Sequence, residues 1–114
     1  MVALNFQPEF ADDVEHGRKR QTIRRNARCT PGDRIQLYTG QRTKKCRKLG
    51  EAICLSVDYI AIRPEYLTFG NRDKHPHDVD EFARADGFPD YATMVKWFQD
   101  RYGVREFIGK VIKW

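Results

Sequence analysis

The last eight residues of the chain place the strongest constraint on its fold. Phe107, Ile108, Val111, Ile112 and Trp114 put apolar side chains on both faces of an extended segment, whereas a strand at a protein surface alternates apolar and polar residues. A strand that is apolar on both faces has to be covered on both. We therefore expect this segment to form a central, buried strand.

Hydrophobic periodicity and turn residues predict the other elements. Strands are expected at residues 2–6, 21–24, 35–37, 53–62 and 66–69, with loops at 40–48 and 70–77. The apolar phase of the fourth strand switches near Asp58, which indicates a bulge or bend of the kind that turns a barrel corner. Helices are expected from Pro8 to Gly17, from Asp78 to Gly87 and from Asp90 to Gly103. This order predicts an α+β fold built round a small, partly closed barrel.

Length and composition indicate one folded domain, residues 1–114. The chain is 40% hydrophobic and 32% charged, and a chain of this size buries enough surface to fold without a disulfide or a metal. No apolar run approaches the ~20 residues that cross a bilayer. Cys29, Cys46 and Cys54 are an odd number without C-x-x-C spacing, which predicts a reducing compartment, the cytoplasm, and no zinc site. We expect no metal and no cofactor.

Positive charge is concentrated in one segment. Residues 18–48 contain 12 of the 21 lysines and arginines but a single acid, Asp33. This segment carries +11, so the remaining residues are acidic overall and the whole chain carries +5. Such a field attracts phosphates and polyanions. A solvated basic surface without a ligand is the alternative. The expected nucleic-acid contacts are the basic loop residues Arg42, Lys44, Lys45, Arg47 and Lys48.

Lys19 and Thr22 are candidates for catalysis. They flank the junction of a predicted helix and a predicted strand, where a turn can bring together two side chains that a regular strand would point to opposite faces. A threonine hydroxyl becomes a nucleophile when a neighbouring base takes its proton, and a neutral lysine can be that base. The lysine pKa would have to fall from ~10.4 to ~7 through burial and repulsion from nearby arginines. The alternative is a solvated lysine beside an ordinary strand threonine.

Several segments resemble the ASCH domain family of the PUA-like superfamily. They are Gly17-Arg18-Lys19, Thr22-Ile23-Arg24, Pro31-Gly32-Asp33, Phe82-Ala83-Arg84-Ala85-Asp86-Gly87-Phe88 and Phe107-Ile108-Gly109-Lys110-Val111-Ile112. Together they cover nearly the whole chain in the order that the family shows. The resemblance implies a small mixed β-barrel with helices packed over its openings, and a cleft suited to RNA or a nucleotide.

One branch of that family consists of compact amidohydrolases that cleave the acetyl amide of N(4)-acetylcytidine. Resemblance to this branch implies that Lys19 is the base, Thr22 the nucleophile and Asp86 the acid that orients Lys19 or shuttles a proton, without a metal. Asp86 stands where the branch has a glutamate, which is one methylene longer. Arg18 and Arg24 are expected to bind substrate, with Arg24 at the tetrahedral oxyanion or at a sugar or phosphate oxygen.

Three functions remain open from the sequence. The first is hydrolysis of an acylated cytosine nucleoside, with Tyr38 stacked on the pyrimidine ring; packing of Tyr38 on its neighbours is the alternative for that residue. The second is an RNA-binding module, in one version with weak ribonuclease activity, in which residues 18–48 contact phosphates and Lys19 is one contact. The third is a regulatory domain whose basic face meets an acidic protein. The loop at 40–48 is insertion-like relative to the compact enzymes and favours a longer nucleic acid.

Overall fold

The computed structural model describes residues 2–70, 72–74 and 76–114, which form an α+β fold with eight strands and three helices. The strands are β1 (Val2–Phe6), β2 (Gln21–Arg24), β3 (Arg34–Thr39), β4 (Arg47–Ile53), β5 (Ser56–Ile62), β6 (Leu67–Phe69), β7 (Arg72–Lys74) and β8 (Phe107–Lys113). The helices are α1 (Pro8–Glu15), α2 (Pro76–Ala85) and α3 (Tyr91–Tyr102).

The strands pair in two sheets, and β8 is an inner strand of the larger one. Over the described residues the strand orders are β1-β3-β4 and β2-β8-β5-β6-β7, and this pairing closes neither sheet into a barrel. The prediction of a central C-terminal strand is confirmed, since β8 lies between β2 and β5. Val111 packs in the core beneath α2 and α3, and Ile112 packs in a second core against the smaller sheet. Ile108 is 53% exposed, so the second face is covered only towards the carboxyl end of β8.

The chain crosses from the smaller sheet to the larger at two consecutive residues. The amide of Cys54 donates to the carbonyl of Asp33 at 2.8 Å, and the amide of Leu55 donates to the carbonyl of Lys113 at 2.8 Å. The predicted bulge near Asp58 is wrong, because β5 keeps a continuous register with β8 through that residue. The switch in apolar phase lies within β5 and reflects its two faces: Ile60 and Ile62 pack in the core beneath α2 and α3, whereas Val57 packs against the second core.

Two predicted loops and one helix start differ from the structure. Arg47 and Lys48 were expected in the basic loop, but they begin β4 and pair with β3. Part of the loop expected at 70–77 is strand β7, while residues 71 and 75 lie outside the described residues. Helix α2 begins at Pro76 rather than at Asp78, in keeping with the preference of proline for the first turn of a helix.

The predicted ends of α3 are confirmed. The side chain of Asp90 accepts a hydrogen bond from the amide of Thr93 at 2.8 Å, and Gly103 closes the helix with a φ of 65°. Met94 and Phe98 point from this helix into the core beneath the larger sheet. No helix in the part of the chain that the structure describes is long and apolar enough to span a membrane.

Candidate active site

A turn after α1 carries Lys19 into the interior. Gly17 adopts a φ of 76°, which suits glycine, and the carbonyl of Asp13 accepts hydrogen bonds from the amides of both Arg18 and Lys19, at 2.8 and 2.9 Å. The chain then enters β2 with Thr22. Lys19 is 3% exposed and Thr22 is 5% exposed. The turn therefore buries both side chains, as the catalytic interpretation of the sequence requires.

Asp86 reaches the same place from the end of α2. Its amide donates to the carbonyl of Ala83 at 3.1 Å, which completes the last turn of the helix. Gly87 follows with a φ of 98°, and a Cβ there would lie only 2.9 Å from Cδ1 of Phe10 and 3.7 Å from Cδ of Lys19. Glycine is required after Asp86 for two reasons. A side chain would be strained at this φ, and its Cβ would displace the ring of Phe10, which lies beside Lys19.

Lys19 and Asp86 form a buried ion pair that spans the sequence. The Lys19 Nζ lies 3.3 Å from Oδ2 of Asp86 and donates to the Asp86 backbone carbonyl at 2.5 Å. The carboxylate also accepts a hydrogen bond at Oδ1 from Nε2 of Gln21, at 3.3 Å. The shorter side chain of aspartate thus contacts the lysine directly. Lys19 also lies over the ring of Phe10, with Nζ 5.0 Å from the ring centroid.

Burial shifts both members of the pair towards their neutral forms. It lowers the pKa of Lys19 and raises the pKa of Asp86, because each charge loses its hydration, and the attraction between the two groups opposes both shifts. Arg24 adds a smaller repulsion that also lowers the pKa of Lys19. Desolvation is the dominant cause for both groups, so the free-energy gap between the charged and the neutral pair is smaller here than in water.

Thr22 accepts a hydrogen bond that the sequence did not predict. Arg24 Nε donates to Oγ1 of Thr22 at 3.2 Å. The guanidinium is held in place by a 2.7 Å hydrogen bond from Nη2 to the carbonyl of Asn5 and lies over the ring of Phe6, 5.1 Å from its centroid. Within the described residues Thr22 Oγ1 accepts from Arg24 but has no acceptor for its own proton, and Lys19 bonds to Asp86 rather than to Thr22.

These groups line one cavity of about 90 Å³. Its polar floor contains Lys19, Thr22 and Asp86, and Arg24 lies beside them. The remaining wall is largely aromatic, and its rings meet one another edge to face or tilted, except for Phe98 and Tyr102, which are stacked. Such a wall can hold a planar ring by stacking. The aromatic lining residues are Phe6, Phe10, Phe88, Trp97, Phe98 and Tyr102.

The sequence analysis missed Gln21 and the aromatic wall. Gln21 is 5% exposed, but its partner Asp86 is 65 residues away in the sequence, so no local pattern signals the contact. Trp97 lies on α3 beside the core residues, and its Nε1 donates to Glu9 at 3.3 Å. The helical periodicity of α3 identifies the face that packs inward but not the ring that borders a cavity.

Arg18 and Tyr38 do not line this cavity. Arg18 is exposed and its Nε donates to Asp13 at 2.7 Å. Tyr38 lies on β3, where its hydroxyl donates to Gln36 at 3.4 Å, and it borders a separate groove that includes Arg42. Their substrate-binding roles stay predictions, and in this arrangement the aromatic wall takes the position expected of Tyr38.

The basic loop divides into paired and unpaired cations. Arg47 forms a 2.7 Å ion pair with Glu15, and Lys48 forms a 2.8 Å ion pair with Glu51. Arg42, Lys44 and Lys45 are exposed and have no ion-pair partner among the described residues. The three unpaired side chains are therefore free to meet an anion.

We expect the Lys19–Asp86 pair to behave as one energetic unit. Lys19→Met leaves the Asp86 carboxyl buried without its cation and should cost about 3–5 kcal/mol of unfolding free energy. The double variant Lys19→Met/Asp86→Leu removes both charges and should be more stable than the sum of the two single effects predicts. Urea denaturation of the four proteins measures the coupling. Lys96→Met, which breaks the exposed pair with Asp100, is the control and should change stability little. Additive effects of the two single substitutions would contradict this prediction.

The arrangement combines a hydroxyl, a buried amine and a carboxyl group at the floor of a concave, aromatic-walled space. Among the described residues no group of three or more histidine, cysteine, aspartate or glutamate side chains is placed to hold a metal ion. A hydroxyl, an amine and a carboxyl group are components of acid–base and nucleophilic chemistry. Comparison of the chain with protein-family models, with curated proteins and with solved structures gave no match.

Proposed function

We propose that the protein is an amide hydrolase that removes the acyl group from N(4)-acetylcytidine-type nucleosides, with Lys19, Thr22 and Asp86 as its catalytic residues. The observation that carries this proposal is the burial of the Lys19 amine against Asp86 in a cavity that Thr22 also lines. A buried amine whose pKa burial lowers is suited to act as a base.

The reaction proceeds in two stages. Neutral Lys19 accepts the proton of Thr22, and Oγ1 attacks the carbonyl carbon of the acyl amide. Arg24, which already donates to Oγ1, stabilises the negative charge that develops on the carbonyl oxygen. The C–N bond then breaks, the exocyclic nitrogen takes the proton from Lys19 to give the cytosine amine, and the acyl group stays on Thr22. Water, deprotonated by Lys19, attacks this ester; the bond between the acyl carbon and Oγ1 breaks, Oγ1 takes the proton back from Lys19, and the carboxylic acid is released.

We also propose the PUA-like (ASCH) architecture for the fold. Two features support this proposal. The chain crosses between the two sheets at Cys54 and Leu55, which forms a corner, and α2 and α3 pack against one face of the larger sheet. The Asp86-Gly87-Phe88 segment also fits, since it brings an acid and an aromatic ring to one cavity.

Removal of the Thr22 hydroxyl should abolish the reaction without unfolding the protein. Thr22→Val keeps the shape of the side chain, and we expect kcat for N(4)-acetylcytidine to fall on the order of 10³-fold or more, because no nucleophile remains. Thr22→Ser keeps the hydroxyl and should retain measurable turnover. Release of cytidine, followed chromatographically, gives the rates, and circular dichroism checks the fold. Absence of turnover in the unmodified protein, or full activity of Thr22→Val, would reject the hydrolase.

The pH profile identifies the base. The negative charge of Asp86 raises the pKa of Lys19 against the effect of burial, so its removal in Asp86→Asn should lower that pKa further. The limb of the kcat/KM profile on which the rate rises with deprotonation should then move to lower pH. Asp100→Asn, an exposed change on α3, should leave the limb in place. An unmoved limb in Asp86→Asn would mean that Lys19 is not the base.

A second candidate function is RNA binding through the basic loop. The observation in its favour is that Arg42, Lys44 and Lys45 are exposed and unpaired in the described residues while Arg47 and Lys48 are engaged by acids. In this function the loop contacts phosphates and no amide is cleaved.

If the basic loop binds RNA, its unpaired cations should determine how strongly the binding constant depends on salt concentration. Lys44→Gln/Lys45→Gln should reduce the slope of log K against log salt for single-stranded RNA by about 0.7 per residue. Arg47→Gln/Lys48→Gln is the matched control and should reduce the slope less, since its cations are already partly neutralised. Fluorescence anisotropy across a salt series gives both slopes. Equal slopes for the unmodified protein and both variants would exclude the loop as a phosphate contact.

A further inference from the structure

An open groove leads away from the cavity along β1. Asn5 and Arg24 line both the cavity and the next depression, which extends to Arg28 and Gln41. Arg28 and Gln41 in turn line a third depression, which ends at Arg42. Each depression therefore adjoins the next through shared lining residues, and we refer to the surface formed by these five residues as the β1 groove.

The β1 groove is positively charged throughout. Arg24, Arg28 and Arg42 lie along it, and none of its described lining residues is acidic. Arg28 and Arg42 are exposed and have no ion-pair partner in the described part of the chain. A row of cations without acids fits a ligand with several negative charges.

Two contacts fix the groove relative to the cavity. The side-chain oxygen of Asn5 accepts a hydrogen bond from the amide of Gln41 at 2.9 Å, and the carbonyl of Asn5 accepts from Arg24. Arg42 itself has a φ of 65°, a conformation that non-glycine residues seldom adopt. Asn5 therefore binds both Gln41, which precedes Arg42, and Arg24, which lies beside Thr22.

The length of the groove sets the size of its ligand. β1 runs from Val2 at the far end of the groove to Phe6 at the cavity, which is about 13 Å of extended chain. Successive phosphates of one strand lie about 3.4 Å apart along the axis of a stacked duplex, so up to about four nucleotides match this distance. Within the described residues β1 is also an edge strand of the smaller sheet, paired with β3 alone.

We propose that the substrate is an acylated cytosine within a single strand of RNA, whose neighbouring phosphates lie in the β1 groove while the modified base enters the cavity. This inference rests on the proposed hydrolase for the identity of the base. The groove itself rests on its own observations, namely the lining residues that the three depressions share, the three arginines and the absence of acids among the residues that line the groove. It takes the substrate beyond the free nucleoside, and it assigns roles to Arg28 and Gln41, which the sequence did not single out.

The test is a length series of RNA oligonucleotides with one N(4)-acetylcytidine. Values of kcat/KM should rise from the free nucleoside to oligonucleotides that extend about four nucleotides from the modified base, and should then level off. The gain should appear mainly in KM and should shrink as salt increases. Equal kcat/KM for the free nucleoside and every oligonucleotide would overturn the proposal.

Substitutions test whether the higher kcat/KM of the oligonucleotides arises in the β1 groove. Arg28→Gln and Arg42→Gln should each remove about 3- to 10-fold of the advantage of the oligonucleotide and reduce the salt slope by about 0.7, with turnover of the free nucleoside unchanged. Arg105→Gln removes the same charge at a position that lines a different depression and should have no effect. An equal loss in all three variants would mean general electrostatic attraction and would overturn the groove.

A binding measurement keeps failure of the groove separate from failure of the hydrolase. Anisotropy with an unmodified RNA tetranucleotide does not depend on catalysis. If no acylated substrate is cleaved but Arg28→Gln weakens RNA binding and Arg105→Gln does not, the hydrolase fails and the groove stands. If acetylcytidine is cleaved while the tetranucleotide binds equally to both variants, the hydrolase stands and the groove fails.

Discussion

The burial of one charged pair determines how the rest of the molecule is built. Lys19 and Asp86 are each less than 5% exposed, and charges removed from water to that extent persist only where polar partners replace the lost hydration. Here the partners come from two distant segments: the turn after α1 and the first residues of β2 on one side, and the end of α2 on the other. The pair therefore fixes the position of α2 relative to the amino-terminal half of the chain.

The central strand provides the frame in which this pair can be held. β8 pairs with β2 on one side, which fixes Thr22 opposite Ile112, and with β5 on the other. Gly109 permits the close approach of the two strands, since a Cβ there would lie 2.4 Å from the carbonyl oxygen of Arg24. The carboxyl end of β8 also meets the turn before β2, where Trp114 and Arg20 exchange hydrogen bonds. A rigid frame of this kind keeps the Thr22 hydroxyl and the buried Lys19 amine in a fixed relation.

The sequence predicted the parts of this arrangement that depend on local chemistry. The bounds of β2, the Asp90 cap of α3 and the central position of β8 follow from alternation, capping and apolar content. The sheet crossing at Cys54 was missed because its hydrogen bonds join segments far apart in the sequence. Gln21 and Trp97 were missed for the same reason. Convergence of Lys19, Thr22 and Asp86 on one cavity was expected from family resemblance, not from spacing, which left a solvated lysine open.

The contacts of the Lys19 amine fit either of its protonation states. An ammonium group has three N–H donors and no lone pair, whereas a neutral amine has two donors and one lone pair. The described contacts of Nζ supply two acceptors, the carbonyl and the carboxylate oxygen of Asp86, and the ring of Phe10 lies on a third side. Two donors are thus satisfied by Asp86 in either state. In the ammonium state the third N–H donor meets the aromatic face, which attracts it only weakly, and in the neutral state the lone pair takes that same direction. For the proposed hydrolase this means that the Nζ lone pair has to turn from the Phe10 ring to the Thr22 hydroxyl before it can take the proton.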